Sequence, residues 1–161
     1  MKELIIIGFG QYGQNVRDIV ISNGNYETIS FADDKSNSAT YTIAEAEKIE
    51  GADFVVAIGN PRIREKICTQ MIAAGKNLIS LIHNKAYVAS SAKIGKGCIV
   101  EPGAIINANV VIEDGALVCA GAIINHNVII GHYSQIDVGA VIPSNKKVEE
   151  YTKVEAGETY V

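Results

Sequence analysis

The sequence predicts an α/β unit with a small Rossmann-like parallel sheet over residues 1–81, followed by a left-handed parallel β-helix over residues 82–161. The β-helix rests on a sixfold period. Ile82, Val88, Ile94, Val100, Ile106, Ile112, Val118, Ile124, Ile130, Ile136, Ile142, Val148 and Val154 follow one another at intervals of six, an unbroken run far outside chance. Three places after most of them stands Gly or Asn: Gly97, Gly103, Asn109, Gly115, Gly121, Asn127, Gly139, Asn145 and Gly157. These residues tolerate positive φ, so a corner is expected there. Six residues cannot bury an apolar face alone, but short flat strands between corners can if each turn stacks on the last. Three hexads make a triangular coil, and residues eighteen apart then stack at the strand spacing of about 4.8 Å. The left-handed coil is an exception to the usual right-handed parallel crossover. A β-sandwich would not keep the sixfold register without turn insertions.

The α/β unit rests on alternation. Leu4 to Ile7 is a short apolar run, as in a strand covered on both faces. Gly8-Phe9-Gly10-Gln11-Tyr12-Gly13 follows, then helical spacing through Val16, Ile19 and Val20, which sets a G-x-G-x-x-G turn between strand and helix. Gly8 permits the turn, Gly10 lets a phosphate or base approach the backbone, and the helix start offers unpaired N–H groups. Asn23-Gly24-Asn25 ends the helix. Tyr26 to Ala32 reads as a second strand with Asp33-Asp34-Lys35 at its end, Ala44 to Glu50 as a short helix, and Phe54 to Ile58 as a third strand closed by Gly59-Asn60-Pro61. Arg62 to Ala74 reads as an amphipathic helix with Ile63, Ile67, Met71 and Ile72 on one face, with Pro61 suited to its first turn. Leu78 to Ile82 reads as a fourth strand leading directly into the coil.

Composition narrows the classes. At 161 residues the chain allows one ordinary domain or two small ones, and 48% hydrophobic with 20% charged residues describes a globular protein with a real core. A net charge of −4 gives no reason to expect nucleic acid or an anionic membrane as partner. Cys68, Cys98 and Cys119 are odd in number and lack metal-ligand spacing, so they read as reduced thiols in a cytoplasmic protein without a metal. The opening apolar run is a buried strand and not a signal peptide, and no stretch approaches the roughly twenty apolar residues of a membrane span.

In a parallel sheet, ligands sit at the carboxyl ends of the strands. Gly8, Gly10, Gln11, Tyr12, Gly13, Asp33, Asp34, Lys35, Gly59 and Asn60 all fall there, which makes them candidates for one nucleotide pocket. Asp33 also stands about twenty residues past the glycines, where an NAD-binding chain places its ribose acid. The small size of the unit favours a mononucleotide or nucleotide-sugar over NAD.

On the β-helix wall, His126 occupies the third place of its hexad, pointing away from the aliphatic interior, and His132 occupies the same place one hexad later. Any surface histidine is by default a solvated residue. His126 lies in mid-solenoid among Asn107, Asn109, Asn125 and Asn127, which offer hydrogen-bond partners, and a neutral imidazole there suits a general base. His83 reads as structural. Glu101, Glu113 and Asp137 read as solvated corners, any of which could orient a histidine across a subunit boundary.

Taken with their order, Ile5-Ile6-Ile7-Gly8-Phe9-Gly10-Gln11-Tyr12-Gly13, Phe31-Ala32-Asp33-Asp34, Val56-Ala57-Ile58-Gly59-Asn60 with Ile63-Arg64, Leu81-Ile82-His83 and Asn125-His126-Asn127-Val128-Ile129-Ile130-Gly131 resemble the bacterial sugar acetyltransferases of the sialic acid O-acetyltransferase type. The resemblance is strongest to UDP-4-amino-sugar N-acetyltransferases and spans residue 4 to about 142. It implies a UDP-sugar in the first pocket, His126 as base for the sugar amine, Asn127 beside it, and acetyl-CoA as co-substrate between neighbouring β-helices of a homotrimer. Gln135, Gly139 and Ser144 are the residues it implies for coenzyme A.

The sequence departs from the family pattern in two ways. Asn127 stands where a carboxylate usually follows the catalytic histidine. Lys146, Thr152 and Glu158 occupy the inward small positions, where burial without partners is unfavourable, so the coil is expected to end or loosen into an irregular tail after about residue 143. Three readings follow: an N-acetyltransferase for a nucleotide-linked amino sugar, an O-acetyltransferase for sialic acid or another surface sugar, and a nucleotide-sugar-binding scaffold without turnover.

Overall fold

The computed structural model describes residues 2–161. It forms two compact units, the first ending at Ile79 and the second comprising Ser80–Val161.

In the first unit, β1 (Glu3–Ile7), α1 (Gln11–Asn23), β2 (Thr28–Ala32), α2 (Ile43–Ala46), β3 (Asp53–Val56), α3 (Pro61–Ala73) and β4 (Asn77–Leu78) follow in order. The strands make one parallel sheet in the order β2-β1-β3-β4. Leu4 to Ile7 and Phe54 to Val56 are fully buried, as the apolar runs required. Gly24 ends α1 in the left-handed conformation at φ 69, which a side chain would strain. α2 is shorter than the expected Ala44–Glu50 and begins one residue earlier. Thr42 and Glu45 close a reciprocal capping box on its first turn.

α3 corrects the expected apolar face. Its buried residues are Arg64, Ile67, Cys68 and Met71, whereas Ile63 and Ile72 are 45% and 46% exposed. The helix is rotated so that Arg64 enters the interior, where Nη1 donates to the carbonyls of Ile58 and Gly59 at 2.8 Å each. A guanidinium is tolerated there because hydrogen-bond partners replace its lost hydration. The expected Leu78–Ile82 strand is also broken: β4 ends at Leu78, and β5 (Leu81–Ile82) belongs to the second unit.

The second unit is a left-handed parallel β-helix of two-residue strands. One wall comprises β5, β8 (Ile99–Val100), β11 (Leu117–Val118), β14 (Gln135–Ile136) and β17 (Lys153–Val154). A second comprises β6 (Tyr87–Val88), β9 (Ile105–Ile106), β12 (Ile123–Ile124) and β15 (Val141–Ile142), and the third β7 (Lys93–Ile94), β10 (Val111–Ile112), β13 (Ile129–Ile130) and β16 (Lys147–Val148). The eighteen-residue register holds throughout: Val88 pairs with Ile106, Ile106 with Ile124 and Ile124 with Ile142. Ile106, Ile124 and Ile142 are 0% exposed, and each such burial stabilises by about 1.5–3 kcal/mol.

Every corner from residue 97 to residue 157 takes positive φ. Besides the glycines and asparagines, Tyr133 (φ 55) and Tyr151 (φ 57) do so. A bulky residue there costs about 1–2 kcal/mol. Stacking offsets it: the two rings lie 6.0 Å apart at 10°, and Tyr133 covers Gly115, where a Cβ would collide with the ring.

The irregular tail expected after residue 143 is absent. β16 pairs with β13 and β17 with β14 in register, and a bridge joins Val141 to Thr159. Lys146 and Glu158 are exposed and Thr152 is half-buried, so the last coil lets these side chains reach solvent. Val148, Val154 and the ring of Tyr160 continue the apolar core beneath them.

Candidate functional site

Two places carry chemistry, one in each unit. In the first unit a cleft of about 410 Å³ opens at the carboxyl ends of the strands, a size suited to a small ligand. Of the expected residues, Gly8, Asp33, Asp34 and Lys35 line it. Asp33 frames the cleft by accepting from Phe9 N–H through Oδ2 at 2.8 Å and from Lys35 N–H through Oδ1 at 2.7 Å. Asp34 Oδ1 accepts from Ile43 N–H at 2.8 Å, holding the start of α2 against the same rim. The side walls are aliphatic, formed by Ile43, Ile58, Ile63 and Ile67, with Lys66 as a second cation beside Lys35. Sequence reasoning missed these five. Ile63 and Ile67 belong to the apolar face expected of α3, but no signal in the sequence turns Ile63 and Lys66 toward a cleft.

Gly10, Gln11, Tyr12, Gly13, Gly59 and Asn60 are not in the lining of the cleft. Gly10 is the exposed N-cap of α1, and a Cβ there meets nothing. Gln11 opens that helix. Tyr12 is half-buried. Gly13 is a packing residue, since a Cβ would strike the carbonyl of Gly8. Asn60 caps α3, its Oδ1 accepting from Arg62 N–H at 3.0 Å and Ile63 N–H at 3.1 Å, and Gly59 offers its carbonyl to Arg64.

In the second unit His126 is exposed on the corner after β12. Its ring is held from both sides. Asn127 Nδ2 lies 3.2 Å from Nδ1 and Ser144 Oγ lies 3.0 Å from Nε2. Asn125 Oδ1 accepts from the backbone N–H of His126 at 2.8 Å and so steadies the corner. Asn127 is also the middle rung of a ladder: Asn109 Nδ2 donates to Asn127 Oδ1, and Asn127 Nδ2 donates to Asn145 Oδ1, each at 3.2 Å. Ser144, expected near coenzyme A, thus touches the imidazole. Gln135 is half-buried, its amide 3.9 Å from Cys119 Sγ, and Gly139 is an exposed corner at φ 66.

The remaining ionisable groups divide. His83 is buried with Nδ1 accepting from Lys85 N–H at 3.0 Å. His132 lies 3.4 Å from Glu113, which also accepts from its backbone N–H. Glu101, expected as a solvated corner, is 6% exposed and accepts from Ala120 N–H on the next coil at 2.9 Å. Glu113 and Asp137 are half-buried, and Asp137 pairs with Lys153 at 3.3 Å. Burial pushes the thiols of Cys98 and Cys119 up to about 11 and about 12. Among the described residues no histidine, cysteine and carboxylate cluster could hold a metal ion, and no helix is long and apolar enough to cross a membrane.

A chain with a cleft at the ends of a parallel sheet and a β-helix bearing one doubly held imidazole falls in the architectural class of the hexapeptide-repeat sugar acetyltransferases. Comparison with known proteins narrows this. The PglD N-terminal domain family matches residues 3–71. The acetyltransferase domain of PglB from Neisseria gonorrhoeae is 30% identical, with a TM-score of 0.81 over 99% of this chain and 91% of that one. The same domain in complex with acetyl coenzyme A is 29% identical at a TM-score of 0.76, over 96% and 88% of the two chains. The chain belongs to the family of the PglB acetyltransferase domain. UDP-N-acetylbacillosamine N-acetyltransferase of Bacillus subtilis is 27% identical over 111 residues, 62% of this chain and 51% of the relative. The match thus spans about half the length of that curated relative. The perosamine N-acetyltransferase of Caulobacter crescentus, solved with CoA and GDP-perosamine, shares the fold at 21% identity and a TM-score of 0.83, over 99% and 88% of the two chains.

Proposed function

We propose that the chain transfers the acetyl group of acetyl-CoA to the amine of a nucleotide-linked amino sugar, with His126 as general base. The observation that carries this is the exposed imidazole held at both ring nitrogens on the β-helix. Family membership and the known acetyl coenzyme A complex of the PglB domain support the donor. The cleft of the first unit, with aliphatic walls for a base and Lys35 and Lys66 at hand for phosphates, supports a UDP-sugar as acceptor.

In this reaction His126 Nε2 takes the proton of the sugar amine as the nitrogen attacks the thioester carbonyl. The C–N bond forms, the C–S bond breaks, and coenzyme A leaves as the thiol or thiolate while the imidazolium gives up its proton to the leaving sulfur or to water. Ser144 must yield its place at Nε2 when the amine arrives. Asn127 orients the ring without supplying charge.

The expected assembly is a homotrimer in the cytoplasm. Tyr87, Ile105, Ile123 and Val141 form successive outward rungs of one wall, with Tyr87 59% and Ile105 36% exposed. Closed rotational symmetry is the ordinary way to cover such a stripe, and His126 lies two residues past β12 on this wall. Light scattering should give three times the chain mass; a monomer at micromolar concentration would exclude it.

The test of activity is release of free thiol from acetyl-CoA in the presence of UDP-amino sugars, alongside calorimetry with UDP, NAD and acetyl-CoA. Thiol release that requires the UDP-amino sugar is expected. Release with free surface sugars and no UDP binding would favour O-acetylation, and binding without release would favour the scaffold reading, to which Asn127 lends its support.

A further inference from the structure

We propose that the amide ladder Asn109–Asn127–Asn145 positions His126 by selecting which of its ring nitrogens carries the proton. Asn127 presents one amide hydrogen to Asn145 Oδ1 and the other to His126 Nδ1, while its Oδ1 accepts from Asn109. An amide nitrogen has no lone pair to offer. In this direction Nδ1 must therefore be the acceptor, so the neutral ring keeps its proton on Nε2 and donates it to Ser144 Oγ. Neither ring nitrogen then presents a free lone pair to a substrate. Reversing the ladder turns Asn127 Oδ1 toward Nδ1, moves the ring proton there, and frees Nε2 to act as the base. Because Asn127 belongs to both ladder bonds, one amide cannot turn alone without setting nitrogen against nitrogen or oxygen against oxygen.

The corner itself does not require these amides. Asn109, Asn127 and Asn145 take φ 59, 59 and 61, and glycine takes the same conformation at Gly97, Gly103, Gly115, Gly121, Gly139 and Gly157. Three asparagines follow one another only along the edge that carries His126. Their amides thus supply something beyond the turn, and the imidazole is the group they reach.

The effect on catalysis rests on the proposed function; the effect on the ring does not. Aspartate tolerates the left-handed corner and its carboxylate only accepts. Asn145→Asp draws Asn127 Nδ2 toward it and locks the direction seen here. Asn109→Asp draws Asn127 Nδ2 the other way and forces the reversal. Both add the same charge one rung from Asn127, so a purely Coulombic influence would move both alike. Nitrogen-15 NMR of the neutral His126 ring, assigned with His126→Gln, should find Nε2–H in the native chain and in Asn145→Asp, and Nδ1–H in Asn109→Asp. Turnover should fall by about tenfold or more in Asn145→Asp and rise severalfold in Asn109→Asp. The same tautomer in both variants would overturn the proposal. If either fails to fold, glycine at that corner removes the amide, and the ring is expected to lose its single tautomer; an unchanged ring would overturn the proposal equally. Opposite tautomers without turnover in any form would leave the ladder standing and remove the acetyltransferase reading.

Discussion

Ser144 Oγ stands 3.0 Å from His126 Nε2, although eighteen residues separate them in sequence. The coil brings a hydroxyl directly over the imidazole. His126→Ala should lower kcat by on the order of 10²- to 10⁴-fold with little change in KM, and His132→Ala, one face away, should cost far less. Ser144→Ala removes a contact worth about 0.5–1.5 kcal/mol that must be given up when the amine arrives, so kcat should hold or rise severalfold. A change confined to the KM for acetyl-CoA would instead make Ser144 a coenzyme ligand only.

Asn127→Asp restores a carboxylate beside Nδ1. Its charge favours the imidazolium and holds the neutral ring with its proton on Nδ1. The acid limb of the kcat/KM profile should move to higher pH, and the plateau should be equal or faster. A limb that stays in place would show that residue 127 does not sense the ring.

The glycines of the first turn separate approach from packing. A side chain at Gly10 meets nothing, whereas one at Gly13 strikes the carbonyl of Gly8. Gly10→Val should leave the Tm within a few degrees while weakening UDP binding. Gly13→Ala should lower the Tm itself. Unchanged UDP affinity in Gly10→Val would move the phosphates away from this turn.

Asp53 makes the first unit acid-sensitive. Burial works to raise its carboxyl pKa, but hydrogen bonds from Lys2, Tyr26 and Asn77 outweigh that and hold it below the usual 3.8. The unfolded chain therefore binds more protons in that range, and stability rises with pH through it. This contribution is present above about pH 4 and is lost as pH falls through the depressed folded value. Asp53→Asn should flatten the acid side of the Tm profile. An unchanged acid slope would assign the sensitivity to another carboxylate.

The β-helix was legible because its rule is strictly local: one aliphatic residue in six, with a flexible corner between. Tyr133 and Tyr151 escaped that reading because no propensity marks tyrosine for positive φ; ring stacking across a coil holds them there. Residues 144–158 depart from the expected irregular tail in the same way: Lys146 and Glu158 break the inward pattern, yet both side chains are exposed while Val148 and Val154 carry the apolar core on. On the sheet side, the sequence pointed to the strand ends yet not to the partners. Asn60 looked like a ligand residue and is a helix cap, while Lys66 and Ile63 looked like ordinary helix positions and line the cleft. His126 could be singled out by its place in the hexad, but its contact with Ser144 follows only once the coil is closed.

The register also sets the order in which the chain is expected to fold. Along the β-helix each strand meets a partner eighteen residues away, as Ile106 meets Ile124, so every new coil closes a short loop onto one already formed. The sheet has no such template: Leu4 pairs with Asp53, and that strand pairing waits until nearly fifty residues have been gathered. Loop closure is entropically dearer there, and topologies of long sequence separation fold more slowly. The solenoid is thus expected to zip rung by rung, while the nucleotide-sized cleft matures late.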